Sequence, residues 1–283
     1  MKIWITFCLF VFPTMLFAEE AEDSHQYEFY ALCMDTHDEK QRSIDEQNQM
    51  LAELGFDGVA HLWLDKLEER VTSADQSGLH VVQVYLNVDL SQAVPFDPNL
   101  EKSLSCLKAK NSQLAILIYG GNPSEESLDD KAVEIIRKIV DIADKSDVKV
   151  VLYPHVGAWC ESVADCVRIA KRFPDKKVGV MFNLCHWAAV DKTENLKSVL
   201  EMAIPWLAAV TINGTDTPEE IQARPGRDGW LQPLDSGSFD QNKVLVLLKE
   251  LHYRGPIGLQ CYGIPGDAKV HLERSMKKWR TLP

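Results

Sequence analysis

The sequence predicts a closed barrel of eight parallel strands joined by helical crossovers, a (β/α)8 fold. Eight short apolar runs recur along the chain, segments of helical period separate them, and each strand with its crossover takes about 30 residues, the spacing of parallel strands linked by helices. The chain has 283 residues, of which 46% are hydrophobic and 25% charged, enough to bury one large core. An open doubly wound sheet is the rival. It would announce itself by a Gly-rich phosphate loop after an early strand, and neither GxGxxG nor a Walker sequence occurs.

The N-terminus differs from the rest of the chain. Lys2 supplies a positive start, Ile3 to Phe17 is nearly all apolar, and Ala18 precedes the acidic stretch EEAEDSHQ, which is the layout of a cleavable secretory leader. Pro13 interrupts the run, which is shorter than the roughly 20 residues needed to span a bilayer. The expectation is a leader over 1–18, an acidic N-terminus over 19–26 and a barrel over 27–283, with no stable membrane anchor and export to the periplasm or the exterior.

The strand-like runs are Glu28–Met34, Gly58–Leu64, Leu79–Leu86, Leu114–Tyr119, Val148–Tyr153, Val178–Phe182, Ala208–Ile212 and Ile257–Cys261. After the first comes SIDEQNQMLAELG, where Ile44, Met50, Leu51 and Leu54 share a face and Gly55 supplies the stop. Further helical patterns are DDKAVEIIRKIVDIADK, ESVADCVRIAKRF, TENLKSVLEMA and QNKVLVLLKELHYRG. The longest connection, from Thr217 to about Gln241, carries several Pro and Gly and is expected to arch over the site.

The formal charge is -12, and no block of Lys or Arg forms a stripe able to neutralise a phosphate backbone, so nucleic acid is not an expected partner. Cys33, Cys106, Cys160, Cys166, Cys185 and Cys261 sit mostly inside apolar patterns without a CxxC pair, so neither a zinc site nor a bridge is expected.

Four runs in the second half end on polar residues: VVLYPHVG with His155, VGVMFNLCHW with Asn183 and His186, AAVTINGTD with Asn213, and GPIGLQCYG with Gln260. In a barrel of this kind the C-terminal strand ends carry the chemistry. These residues are therefore expected around one mouth. The first half adds Asp35, His61 and Tyr119 at its own strand ends, and Trp187 is a further aromatic near the rim; each also has an ordinary packing or capping role to fill. Asn213 opens an NGT sequon, a poor glycosylation site directly after an apolar strand.

LYPHVGAWCE, FNLCHW, VTINGTD, PLDSGSFD and GPIGLQCYGI, taken in order, resemble successive motifs of the xylose isomerase-like TIM-barrel superfamily of sugar isomerases and epimerases. The resemblance runs from about Tyr27 to the C-terminus. It implies a divalent metal held by Glu, Asp, His and Glu at four strand ends, where this chain has His155, Asn183, Asn213 and Gln260. One imidazole and three neutral amides offer no countercharge to magnesium or manganese, so the metal site is degenerate, a divalent ion is disfavoured and no cofactor is expected. The resemblance also matches Glu161, six residues after His155, and His186, three after Asn183, to substrate-contacting positions.

The function implied is that of an exported sugar isomerase or epimerase acting on a small sugar or keto-sugar by proton transfer. Glu161 or His155 moves the proton, His186 partners it, and Asn183, Asn213 and Gln260 orient the substrate, with Asp35, His61, Tyr119 and Trp187 as further binding candidates. The alternatives are a non-catalytic carbohydrate-binding protein, a lyase or hydrolase acting on an oxidised sugar and, remotely, a DNA-repair endonuclease.

Overall fold

The computed structural model describes residues 27–174, 177–224 and 226–283. The expected leader and acidic N-terminus lie outside these residues. Eight parallel strands close into a barrel in chain order, with the first pairing the last. They are β1 (Phe29–Leu32), β2 (Gly58–His61), β3 (His80–Asp89), β4 (Gln113–Tyr119), β5 (Lys149–Leu152), β6 (Val178–Asn183), β7 (Leu207–Ile212) and β8 (Ile257–Gln260).

Among the described residues ten α-helices accompany them, besides short 3-10 turns: α1 (Ile44–Leu54), α2 (Leu67–Gln76), α3 (Leu100–Leu104), α4 (Asp129–Ala143), α5 (Val163–Ala170), α6 (Leu184–Val190), α7 (Leu196–Ala203), α8 (Pro218–Gln222), α9 (Asn242–Glu250) and α10 (Ala268–Trp279). α1 starts on a capping box between Ser43 and Glu46 and ends on Gly55 in the left-handed conformation. Two departures from the sequence reading fall beside the site. LCHW, expected as a strand end, begins α6 because the Asn183 side chain caps it through the His186 amide. The long connection is not pure loop, since Thr217 and Glu220 form a capping box and Pro218 opens the short α8.

Side-chain parity separates two cores. Leu114, Ile116 and Ile118 of β4 face the helices, whereas Ala115 and Leu117 face the barrel axis, where they meet Val151, Tyr153, Met181 and Ala209. The same two-residue step carries β5 from Val151 through Tyr153 to His155, β6 from Met181 to Asn183 and β7 from Ala209 to Asn213. Strand parity therefore aims the polar ends inward.

The bottom of the barrel is closed by a polar plug. Tyr30 and Tyr85 both donate to Gln83 Oε1, at 2.7 and 2.8 Å, and Gln83 donates to Gln113 Oε1 at 2.8 Å. Gln113 in turn donates to the Ala208 carbonyl at 3.0 Å. Gly258 is required beside this plug because a Cβ there would meet the Tyr30 ring at 2.5 Å. Among the described residues no helix is long and apolar enough to cross a membrane. The described cysteines are free thiols, with Cys160 and Cys166 in contact at 2.9 Å between the sulfurs.

Candidate functional site

A cavity of about 290 Å³ opens at the C-terminal mouth of the barrel. Its inner wall is Leu32, Tyr85, Leu117 and Tyr153, its rim carries Trp63, Tyr119 and Tyr262, and its polar face is His155, His186 and Gln260. Arg227, Trp230 and Leu231 reach over from the connection between β7 and α9.

That connection is strapped down. Gly214 and Gln232 exchange backbone hydrogen bonds at 3.0 and 2.8 Å, Asp216 N donates to the Gly229 carbonyl, and Leu234 N donates to Ser275 Oγ at 3.0 Å. Only glycine fits at position 214, where a Cβ would collide with the Pro233 carbonyl oxygen. Asn213 serves the strap, its amide donating to the Trp230 carbonyl at 2.8 Å. It is fully buried, so its sequon is out of reach of glycosylation. Asp235, in the PLDSGSFD motif, pairs with Arg274 at 2.9 Å.

The centre of the polar face is the Tyr153 hydroxyl. Asn183 Nδ2 donates to it at 2.7 Å and Gln260 Nε2 at 3.3 Å. Both amides are oriented by their oxygens: Asn183 Oδ1 accepts from Cys185 Sγ and His186 N, and Gln260 Oε1 accepts from Tyr262 N. With two donors aimed at its oxygen and no acceptor for its proton among the described residues, Tyr153 presents an O–H to the cavity. Burial holds that hydroxyl well above its ordinary pKa, so it stays protonated.

His155 and His186 lie side by side with ring centroids 4.0 Å apart. His155 Nδ1 is 2.8 Å from the Val156 carbonyl, which can only accept; Nδ1 therefore carries the proton and Nε2 keeps a lone pair. Burial lowers the pKa of His155, and the nearby positive Arg227 lowers it further. Burial pushes His186 down harder, with His155 and Arg227 adding to the effect, and its Nδ1 is buried without a hydrogen-bond partner. Both rings are neutral at pH 7.

The other candidates are placed differently. Glu161 does not line the cavity; its Oε1 accepts from Gly157 N at 2.8 Å and closes the β5–α5 loop. His61 is committed on both nitrogens, to the Asp65 carbonyl at 2.7 Å and to Arg70 Nε at 3.4 Å. Trp187 is buried between Phe182 and Phe239, away from the cavity, and Asp35 is exposed beyond its edge. Tyr119 is on the rim, with its ring 6.1 Å from that of His155. Sequence reasoning missed Tyr153 as the polar centre and Arg227 and Trp230 as the roof. The Tyr-Pro-His order, two residues apart on an inward-facing strand, was the one available signal for Tyr153.

The donor set does not suit a hard divalent cation. His155, Asn183, Asn213 and Gln260 include no carboxylate, two of the amides are turned onto Tyr153 and the third is turned onto backbone carbonyls. Among the described residues no group of three or more His, Cys, Asp and Glu could hold a metal ion.

The buried histidines make stability depend on pH. Burial lowers His61, His155 and His186, and lowers His271 to about 4. Below pH 6.5 the unfolded chain takes up protons that the folded chain refuses, so stability is full above that value and is lost as pH falls toward 4. His80 works the other way through Glu28, but it is a single, half-buried pair. Urea unfolding at pH 7.5 and pH 5 is expected to show a loss, with at most about 2 kcal/mol from His271. Equal midpoints at the two pH values would contradict the burial of these rings.

No curated protein matches this chain in sequence. The structure resembles a 3-keto-D-glucoside 4-epimerase from E. coli (TM-score 0.71, 16% identity, covering 90% of this chain and 99% of that one). It also resembles a D-allulose 3-epimerase from Methylomonas sp. solved with D-allulose (0.70, 13%, 91% and 97%) and a family 2 AP endonuclease from Brucella melitensis (0.66, 17%, 87% and 96%). At such identities the likeness speaks for the fold. The sequence profile described as xylose isomerase-like TIM barrel matches residues 49–281, most of the chain, and the chain belongs to that family.

Proposed function

We propose that this chain is an exported sugar isomerase- or epimerase-like protein that moves a proton on a small sugar or keto-sugar without a divalent metal. The observation that carries this is the neutral pair His155 and His186 beside a Tyr153 hydroxyl polarised by two amides. His155 Nε2 takes the proton from the carbon next to the carbonyl. The C–H electron pair becomes the enediolate double bond, and the oxygen that gains charge accepts a hydrogen bond from Tyr153. Because Tyr153 holds its proton tightly, it stabilises this oxygen as a donor and is not consumed. Return of the proton by His155 to the neighbouring carbon, with His186 relaying the hydroxyl proton from one oxygen to the other, gives isomerisation; epimerisation takes delivery to the opposite face of the enediolate from a water on that side, with His155 losing its proton to solvent. Aromatic walls at Trp63, Tyr119 and Tyr262 suit the apolar faces of a sugar. Nucleic acid is not the ligand proposed, in view of the -12 charge and the small cavity. Export rests on the leader-like positions 1–18.

A non-catalytic carbohydrate-binding role is the second reading, favoured by the commitment of Glu161 to Gly157 N, which leaves no carboxylate base on the cavity wall among the described residues. Hydrogen–deuterium exchange at the carbons flanking the carbonyl, followed by NMR in D₂O over a panel of ketohexoses and keto-glycosides, separates the two. Exchange that persists in excess chelator is the expected result. Binding without exchange across the panel supports the receptor, and exchange that appears only on adding a divalent ion overturns the metal-free reading.

A further inference from the structure

The cavity carries a sign opposite to that of the chain. The formal charge is -12, yet among the described residues no Asp or Glu lines the cavity and its one formally charged lining residue is Arg227. Arg224, three residues earlier, is paired with Asp216. Arg227 has no acidic partner among the described residues, and its guanidinium lies 6.0 Å from the centre of the Trp230 ring. The Trp230 indole can only donate, and its Nε1 is buried without a partner. His186 Nδ1, on a side chain more than nine-tenths buried, is likewise without one.

The charges divide the mouth. Asp35 acts on Cys33, Cys261 and His61 at the β1, β8 and β2 side, whereas Arg227 acts on Tyr119, His155, Cys185 and His186 at the β4 to β6 side. A neutral sugar would leave the guanidinium without a countercharge and the buried indole N–H without a strong acceptor. An oxyanion entering apolar walls needs a countercharge and directed donors, and a planar guanidinium supplies both to a carboxylate or a phosphate.

We propose that the cavity selects an acidic sugar, with a carboxylate or phosphate group seated under Arg227 and Trp230 and its hydroxyls directed to Tyr153, His155 and His186. This deepens the sugar-site reading above and rests on it for the location of the sugar. At about 290 Å³ the space lies at the lower end of small-molecule sites, roughly 300–1,000 Å³, and suits a single ring or open chain.

Isothermal titration calorimetry on the full chain tests it with D-glucuronate, D-galacturonate, D-gluconate and D-glucose 6-phosphate against D-glucose and D-galactose. At least one acid is expected to bind ten-fold or more tightly than its neutral parent. R227Q is expected to abolish that preference and R227K to keep part of it, while R254Q, on the loop before β8, retains it as the charge control. A preference confined to the uronates and gluconate assigns the carboxylate, and one confined to the 6-phosphate assigns the phosphate. Absence of binding by every acid, equal affinity for acids and neutral parents, or an acid preference that survives R227Q overturns the proposal. The proton-transfer reading fails separately. Arg227-dependent acid binding without carbon–hydrogen exchange sinks the chemistry and leaves the selectivity, whereas exchange on neutral sugars with no acid preference does the reverse. Were Arg227 to serve only the enediolate, R227Q would slow exchange without touching relative affinity, which also overturns it.

Discussion

His155→Gln is expected to lower carbon–hydrogen exchange on the bound sugar by about 10²–10⁴-fold, the range associated with one general base. Glutamine keeps roughly the reach of the imidazole and can still donate to the Val156 carbonyl, so the loop is held as before. It has no basic nitrogen to take the place of Nε2. Sugar affinity is expected to change by less than about 3-fold while the rate collapses, a split that separates a base from a binding contact. Rates within ten-fold of the parent would remove His155 from the chemistry and return attention to Glu161. The pH profile supplies a second reading. Burial and Arg227 hold His155 below its ordinary value, so activity is expected to be flat through neutrality and to fall only on the acid side of pH 6.5.

Trp159→Ala is expected to cost about 3–5 kcal/mol, a large share of the roughly 5–15 kcal/mol that holds a typical domain. Trp159 is fully buried, its backbone N donates to the Ile118 carbonyl at 2.9 Å, and its indole donates to the Glu125 carbonyl at 2.8 Å. It therefore ties the loop bearing His155 to the end of β4. Trp159→Phe keeps most of the volume and drops only the hydrogen bond, for about 1 kcal/mol. Urea denaturation reads both values. A loss under about 1 kcal/mol for the alanine variant would show that the loop is held by other means.

The barrel was legible because periodicity is local. Val151, Tyr153 and His155 alternate with Val150 and Leu152, and a reader of the sequence can trace that step without knowing what lies opposite. The same step put His155 and Gln260 at one cavity, and His186 reaches it from the first turn of α6. Direction of hydrogen bonding was not legible. Asn183 and Gln260 were expected to orient the ligand, and what the strands do not foretell is that both amides donate to Tyr153, a partner supplied by another strand, with Gln260 also on the cavity wall. Glu161 shows the same limit, since its spacing from His155 says nothing of the Gly157 amide that takes its charge. Arg227 was hidden for a different reason. It belongs to a connection without period, and long-range contacts such as the bridge between Gly214 and Gln232 bring it back over the mouth.

That bridge has a consequence for how such a molecule changes over time. The roof is a sling fastened to the staves beneath it by Gly214 against Gln232, Asn213 against Trp230 and Leu234 against Ser275, and drawn in on itself by Asp216 against Gly229. Arg227 and Leu231 belong to the sling and not to the staves, so the lining of the vessel can be altered there apart from the packing of its wall, whereas Trp230 packs against the core and belongs to both.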